Sequence, residues 1–233
     1  MASPAADSTS RPTRSRGWGA FLRDVLVIVL IALLVSFLVK TFVVRSFYIP
    51  SGSMKNTLQI DDRILVDELT PRFTGYDRGD VIVFRDPGGW LPVSYREPRP
   101  PFLEGVDWLL SMVGLTAPDS NDHLIKRVIG LPGDRIQMRD GVLFINGEMV
   151  KKERIEDYVD GEVMGEGGGH PIQQYEETLP NGVKYRVLDQ VPNGSADNTI
   201  EYVVPPAHYF MMGDNRDNSE DSRFLDVVGY VPI

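Results

Sequence analysis

The apolar run from Val25 to Val44 limits what this chain can fold into more than any other feature of it. Between Val25 and Val39 every residue is uncharged and only Ser36 is polar, and the apolar character continues past Lys40 through Phe42, Val43 and Val44. As a helix, a run of about twenty residues rises about 30 Å, the thickness of a bilayer's hydrocarbon core. A buried core helix or a cleaved signal peptide has a similar composition. A signal peptide, however, has a shorter apolar stretch ending at small residues, whereas Lys40, Phe42, Arg45 and Phe47 follow here. The run is read as a transmembrane anchor within residues 19–45, with the Lys40 side chain snorkelling to the interface. Arg11, Arg14, Arg16 and Arg23 precede it, and only Lys40 and Arg45 mark its far end. The positive-inside rule then puts the N-terminus in the cytoplasm and everything after Arg45 outside, in a single pass.

Charge divides along the same line. Residues 1–45 carry six basic and two acidic groups, +4, so the net −9 of the whole chain leaves −13 for residues 46–233. Residues 1–18, rich in Ser, Ala, Pro, Thr and Arg, read as a disordered cytoplasmic tail. The acidic outer part argues against nucleic-acid binding, which needs a basic footprint. With no cysteine, disulfides, thiolate metal sites, iron–sulfur clusters and a cysteine nucleophile are all excluded. Three scattered histidines make a histidine-rich metal centre a poor reading.

The outer part reads as mainly β. Asp62–Leu69, Asp80–Phe84, His123–Gly130, Asp134–Arg139 and Val142–Val150 are short, β-branched and bounded by Gly or Pro. Asn146-Gly147 is a two-residue hairpin signal, and Glu201–Asp214 supplies two strands broken at Pro205-Pro206. Residues 46–150 and 201–233 form the expected core. Two stretches interrupt it: a Pro-, Gly- and Trp-rich insertion at 87–122, with Trp90 and the apolar run Val106–Leu115, and a polar lobe of loops and hairpins at 151–200. The glycine run Gly165–Gly169 lacks the flanking strand and helix of a phosphate loop and reads as a plain loop.

Three places carry chemistry. Ser51-Gly52-Ser53-Met54 follows Ile49-Pro50 just beyond the membrane. Two serines around a glycine make a tight turn in which one hydroxyl can attack a carbonyl while the other donates to the oxyanion; the same residues also suit an ordinary polar turn. His123, His170 and His208 lie in unlike contexts with no protease signature. A buried, neutral lysine is the other possible base. In His123–Gly130, strand alternation puts Lys126 with Leu124 and Val128, and Arg127 on the opposite side with Ile125 and Ile129; an edge-strand lysine facing water is the competing reading. Gly213–Arg223, GDNRDNSEDSR, is almost wholly polar directly after the apolar Tyr209–Met212. Its side chains can orient a buried amine. A calcium loop is a weaker reading, since the central Gly and terminal Glu of such loops are missing.

Together these segments resemble bacterial type I signal peptidases, the membrane-bound Ser/Lys proteases of family S26. Four motifs match in order: Ile49–Leu58 (IPSGSMKNTL), Arg78–Phe84 (RGDVIVF), Ile125–Ile136 (IKRVIGLPGDRI) and Gly213–Arg223. Gly88-Gly89-Trp90-Leu91 and the segment up to His123 resemble the actinobacterial branch. The resemblance implies an antiparallel, barrel-like β domain, related to the SOS-repressor proteases, behind the anchor. It implies Ser53 as nucleophile, Lys126 as general base, and Ser51 with the Ser53 amide as oxyanion donors. Ser219 would hydrogen-bond the lysine amine; Asp221 and Arg223 would be paired supports, and Gly213 and Asn218 would shape the loop. Phe47, Ile49, Met54, Leu58 and Ile125 would line shallow pockets for small side chains, giving cleavage after Ala-X-Ala sites. It implies a plasma-membrane location, secretory preproteins and the lipid bilayer as partners, and neither a cofactor nor a metal. The extended substrate would add a strand beside the domain's own.

Asn56 departs from the family, which usually has Pro there, so a looser turn after Met54 is expected. Phe224–Ile233 is longer than the usual link before Gly-Tyr-Val-Pro, and family members usually continue beyond it, so a C-terminal fragment is one reading. A catalytically silent membrane-anchored module and a regulatory autoprotease are the other functional classes; the anchor, without a DNA-binding helical domain, argues against the second.

Overall fold

The computed structural model describes residues 17–87, 123–159, 171–191 and 193–233. Residues 1–16 of the expected tail, the 88–122 part of the insertion with Trp90 and Val106–Leu115, the Gly165–Gly169 run and His170 lie outside the described residues.

The first element is a helix, α1 (Trp18–Phe42). From Trp18 to Val39 it has a mean hydropathy of 2.7, and none of that stretch is buried against the rest of the chain. A helix apolar on all sides with no protein around it needs an apolar solvent, which is what a bilayer provides. It stops at Phe42, two residues before the apolar run does. The Val43 amide makes the last helical bond, to Val39 O (2.9 Å), and Val43 O accepts from the Glu68 amide (3.0 Å). Val43 and Val44 are β-branched, and the available strand partner takes their backbone out of the helix.

The strands are, in order, β1 (Val44–Tyr48), β2 (Arg63–Asp67), β3 (Val81–Arg85), β4 (His123–Gly130), β5 (Arg135–Arg139), β6 (Val142–Ile145), β7 (Glu148–Met149), β8 (Lys151–Arg154), β9 (Tyr158–Val159), β10 (Pro171–Thr178), β11 (Lys184–Asp189), β12 (Tyr202–Val203), β13 (His208–Met212) and β14 (Val231–Pro232). The sheets are antiparallel. β1 pairs β2, from Val44 opposite Asp67 to Tyr48 opposite Arg63. β14-β13-β4-β3 form a second sheet, β12-β5-β6-β7 a third, and β11-β10-β8 a fourth, with β9 also on β10. The Asn146-Gly147 turn has φ 55° and 82°, the left-handed pair that a tight two-residue hairpin requires. A short helix, α2 (Pro71–Thr74), follows β2.

The larger core fills the space between the third and fourth sheets and β13: Ile136, Met138, Leu143 and Ile145 meet Leu179, Val187, Phe210 and Met212. Val128 packs with Ile82, Tyr209, Met211 and Val231 on another face. β4 is therefore not an edge strand. β3 flanks it on one side and β13 on the other, and from Ile125 to Gly130 every residue is buried.

The polar stretch after Lys151 holds the expected hairpin, β10–β11, with β8 and β9 paired to β10. Its strands look polar because polar residues point inward: Gln174 and Glu177 on β10 are 6% and 0% exposed.

Candidate active site

Ser53 sits in a single 3-10 turn, Gly52–Met54, entered from extended Ser51 (φ −134°, ψ 156°). The turn closes tightly: Lys55 N–H bonds Gly52 O (3.0 Å), and Thr57 and Leu58 N–H both bond Met54 O (3.0 and 2.9 Å). Asn56 takes φ 83°, which the fixed ring of a proline cannot reach, so this turn has a course that a proline at 56 would not allow. The Ser51 and Ser53 hydroxyl oxygens are 3.4 Å apart. The amides that begin such a turn have no acceptor within it, which is the property an oxyanion donor needs.

Lys126 arrives from β4, opposite Ile82 of β3, and its Nζ is 2.7 Å from Ser53 Oγ. The two residues are 4% and 8% exposed. Burial, the largest influence, pushes the Lys126 amine below its ordinary value; Asp221, Asp214 and Glu220 pull it back up and Arg223 pushes it down. The outcome is an amine more easily kept neutral, in hydrogen-bond reach of a hydroxyl.

The polar loop from Gly213 to Arg223 closes over this pair. Asp221, wholly buried, accepts from Gly213 N (3.0 Å), Ser219 Oγ (2.8 Å) and the Arg223 guanidinium (2.8 and 2.9 Å). Burial alone would raise its carboxyl, but the Arg223 charge and these donors hold it below the usual carboxylate range. Ser219 thus donates its hydroxyl proton to Asp221, whose charge in turn acts on the Lys126 amine. Gly213 is required by crowding: a Cβ there would stand 2.6 Å from Ser53 O and 2.3 Å from Ser219 Oγ. Asn218 lies over the serine turn, its Nδ2 3.1 Å from where a Gly52 Cβ would be.

Of the expected pocket residues, Ile49, Met54 and Ile125 form one buried cluster with Leu58 packed against it. Phe47 sits apart, its ring 5.0 Å from that of His123, at a cavity of about 480 Å³. β13 pairs only with Arg127–Gly130 of β4, so among the described residues no strand covers the His123–Lys126 edge on that side.

Several residues at the site were not singled out from the sequence. Arg127 makes a two-point ion pair with Asp214 (2.8 and 2.6 Å) and donates to Gly79 O, while Thr57 Oγ1 donates to Asp214 (2.5 Å). Asn215 ties the loop to the serine turn through Ser53 O and Gly52 O, both at 3.0 Å. A second charge inside an apolar strand, Arg127 beside Lys126, was the available signal. Asp214, Asp217 and Asp221, which suggested calcium, are each engaged by different donors: Arg127, the Gln190 and Val191 amides, and Arg223.

Comparison with known proteins finds signal peptidases. A signal peptidase I of Rickettsia bellii (strain OSU 85-389) is 31% identical over 97% of this chain and 72% of its own length. One from Mycobacterium tuberculosis (strain CDC 1551 / Oshkosh) is 37% identical over 87% of this chain and 62% of its own. The crystal structure of a signal peptidase I from Enterococcus faecalis V583, 24% identical, overlaps 48% of this chain and 77% of that one at a TM-score of 0.24, too little to bear on the fold. The family model described as "Signal peptidase, peptidase S26" matches residues 22–233, nearly all of the chain, so this protein belongs to the signal peptidase family, peptidase S26.

Proposed function

We propose that this protein is a membrane-bound serine endopeptidase that removes signal peptides from exported preproteins with a Ser53–Lys126 dyad. Family membership supports the activity. The 2.7 Å approach of Lys126 Nζ to Ser53 Oγ, with the amine buried, is the observation that carries the residue assignment.

Neutral Lys126 takes the Ser53 hydroxyl proton as Oγ bonds to the scissile carbonyl carbon. The oxyanion is held by the Ser51 hydroxyl and the Ser53 amide. Lys126 returns the proton to the leaving amine of the mature protein, and the signal peptide remains as an ester on Ser53. Water, deprotonated by Lys126, cleaves that ester, releasing the signal-peptide carboxylate and restoring the hydroxyl. Among the described residues no strand pairs with the His123–Lys126 edge of β4 on the β13 side, which leaves backbone groups for an extended substrate strand. Buried Ile49, Met54 and Ile125 form an apolar cluster beside the serine turn, which suits small apolar residues before the cut.

In this reading α1 crosses the plasma membrane with its N-terminus in the cytoplasm. Residues 46–150 and 201–233 are the outer catalytic domain, with insertions at 87–122 and 151–200, and its partners are the lipid bilayer and preproteins delivered by export.

Wild type, Ser53→Ala and Lys126→Ala, purified in detergent with a secretory precursor, test it by product size and new N-terminus. Wild type cleaves after a small residue, and each variant loses at least about 10³-fold in rate. Near-normal cleavage by Lys126→Ala would overturn the dyad.

A further inference from the structure

Behind the Gly213–Arg223 loop lies a second buried charge cluster that the chemistry above does not use. Glu177, on β10, is wholly buried, and it accepts two hydrogen bonds from the 4%-exposed Arg216 of the loop (3.0 and 2.6 Å). Tyr185 on β11 completes the group, donating to Glu177 (2.5 Å) and accepting from Arg216 (2.9 Å). Its ring also lies 4.5 Å from the Arg127 guanidinium.

Arg216 stands at the centre of the loop's internal bonding. Its Nε donates to Gly213 O (3.2 Å), and its own carbonyl accepts from Arg223 (2.6 Å). Gly213 touches Ser53 O, and Arg223 holds Asp221, which faces Lys126. The same hairpin grips the loop elsewhere: Leu188 N–H bonds Asp214 O (2.9 Å), Gln190 Nε2 bonds Asn215 (2.7 Å), and the Gln190 and Val191 amides bond Asp217 (2.6 and 2.8 Å). A buried ion pair adds little net stability compared with apolar packing, so what a two-point carboxylate–guanidinium contact contributes here is direction.

We propose that Glu177 is a positioning residue for the Ser53–Lys126 dyad: by fixing Arg216 it seats the Gly213–Arg223 loop against the serine turn, making the β10–β11 hairpin the rear support of the active site. This rests on the Ser/Lys reading above. The chain of contacts runs from Glu177 through Arg216 to Gly213 and Arg223, and from these to Ser53 and Asp221. Loosening it moves the loop away from the dyad and lets water reach Lys126, whose amine is faced by Asp221, Asp214, Glu220 and Arg223.

The experiment compares the full chain with Glu177→Gln, Glu177→Asp and the double variant Glu177→Met/Arg216→Met. kcat, KM, the pH–rate profile and the melting temperature are measured on one peptide substrate, with Ser53→Ala alongside. Inactive wild type, or active Ser53→Ala, would sink the dyad reading itself, separately from this proposal. With the dyad upheld, Glu177→Gln lowers kcat about tenfold to a hundredfold, the scale of an ångström-sized misplacement, leaves KM within about twofold, and moves the rate profile to higher pH. Glu177→Asp recovers part of the loss. The double variant, free of an unpaired buried charge, regains the melting temperature but not kcat. Recovery of kcat together with melting temperature in the double variant would overturn the proposal. So would a wild-type kcat and pH profile in folded Glu177→Gln.

Discussion

Replacing Gly213 by Ala measures how closely the polar loop is seated on the turn that carries Ser53. The new methyl carbon would lie 2.6 Å from the carbonyl oxygen of Ser53 and 2.5 Å from the Cβ of Ser219, where ordinary contact begins at 3.4 Å. The gap must therefore widen by 0.8 Å on the Ser53 side and 0.9 Å on the Ser219 side. Neither neighbour can rotate out of the way, since one is backbone and the other is fixed by its own main chain. Ser53 O is further held by the Asn215 amide, and the Gly213 amide by Asp221. Forcing an extra carbon into such a site costs about 1–3 kcal/mol, which for a chain of this size lowers Tm by roughly 2–12 °C. The rate effect is larger. A displacement of about 0.8 Å between Ser53 and the loop that carries Asp221 reduces kcat by up to about a hundredfold. Cleavage of an Ala-X-Ala peptide, followed at fixed pH well below Tm, gives kcat and KM separately. A Gly213→Ala protein with kcat within twofold of wild type would refute the reasoning, because the loop and turn would then be free to part without consequence.

Three further predictions concern buried charge. Activity follows the neutral Lys126 amine, so kcat/KM rises with pH with a midpoint below that of a free lysine; a limb near pH 6.5 would indicate a histidine base instead. Because the folded amine is held below its ordinary value, the unfolded chain binds that proton more tightly, and stability rises with pH between the lowered and the ordinary value. Lys126→Met removes that rise, seen as a flatter Tm against pH, and abolishes cleavage. Asp214→Asn strips the counter-charge from buried Arg127 and destabilises by about 3–5 kcal/mol in urea titration; a loss under about 1 kcal/mol would show that Gly79 O and water suffice for the guanidinium.

What the sequence made legible was local. Asn146-Gly147 announced its hairpin because two consecutive positive φ angles are tolerated by few residue pairs. Lys126 stands out because a charge in an apolar strand demands a reason, whereas Ser53, whose turn alone suits an ordinary polar turn, stands out only through the resemblance of its segment to a family motif. The end of α1 was misplaced by two residues, since Val43 and Val44 are equally apolar in helix and strand, and the choice was made by Glu68 and β2, more than twenty residues away. Arg216 and Glu177 were invisible for the same reason. Each is an ordinary polar residue until β10 brings them together across 39 positions. The lobe's hairpins are legible only as a polar stretch, because two of their inward residues, Gln174 and Glu177, are polar. Ser219 donates its hydroxyl proton to Asp221, two residues along, a charged acceptor that the sequence does not single out as its partner.

The β1–β2 pair has a consequence for where this protein can cut. Its register starts at Val44 opposite Asp67, directly above the end of α1, and its pairing runs on through Ile49, whose amide bonds Asp62 O, to the serine turn. Six extended residues span about 20 Å, so with α1 read as the membrane span the pair limits how far Ser53 can stand from the bilayer to about that distance. Lengthening both strands by two residues would raise Ser53 by up to about 7 Å and keep Phe47 and Ile49 facing inward, whereas adding one would turn both outward. That limit is thus graduated in pairs of residues, and it can change only in those steps while the site stays intact.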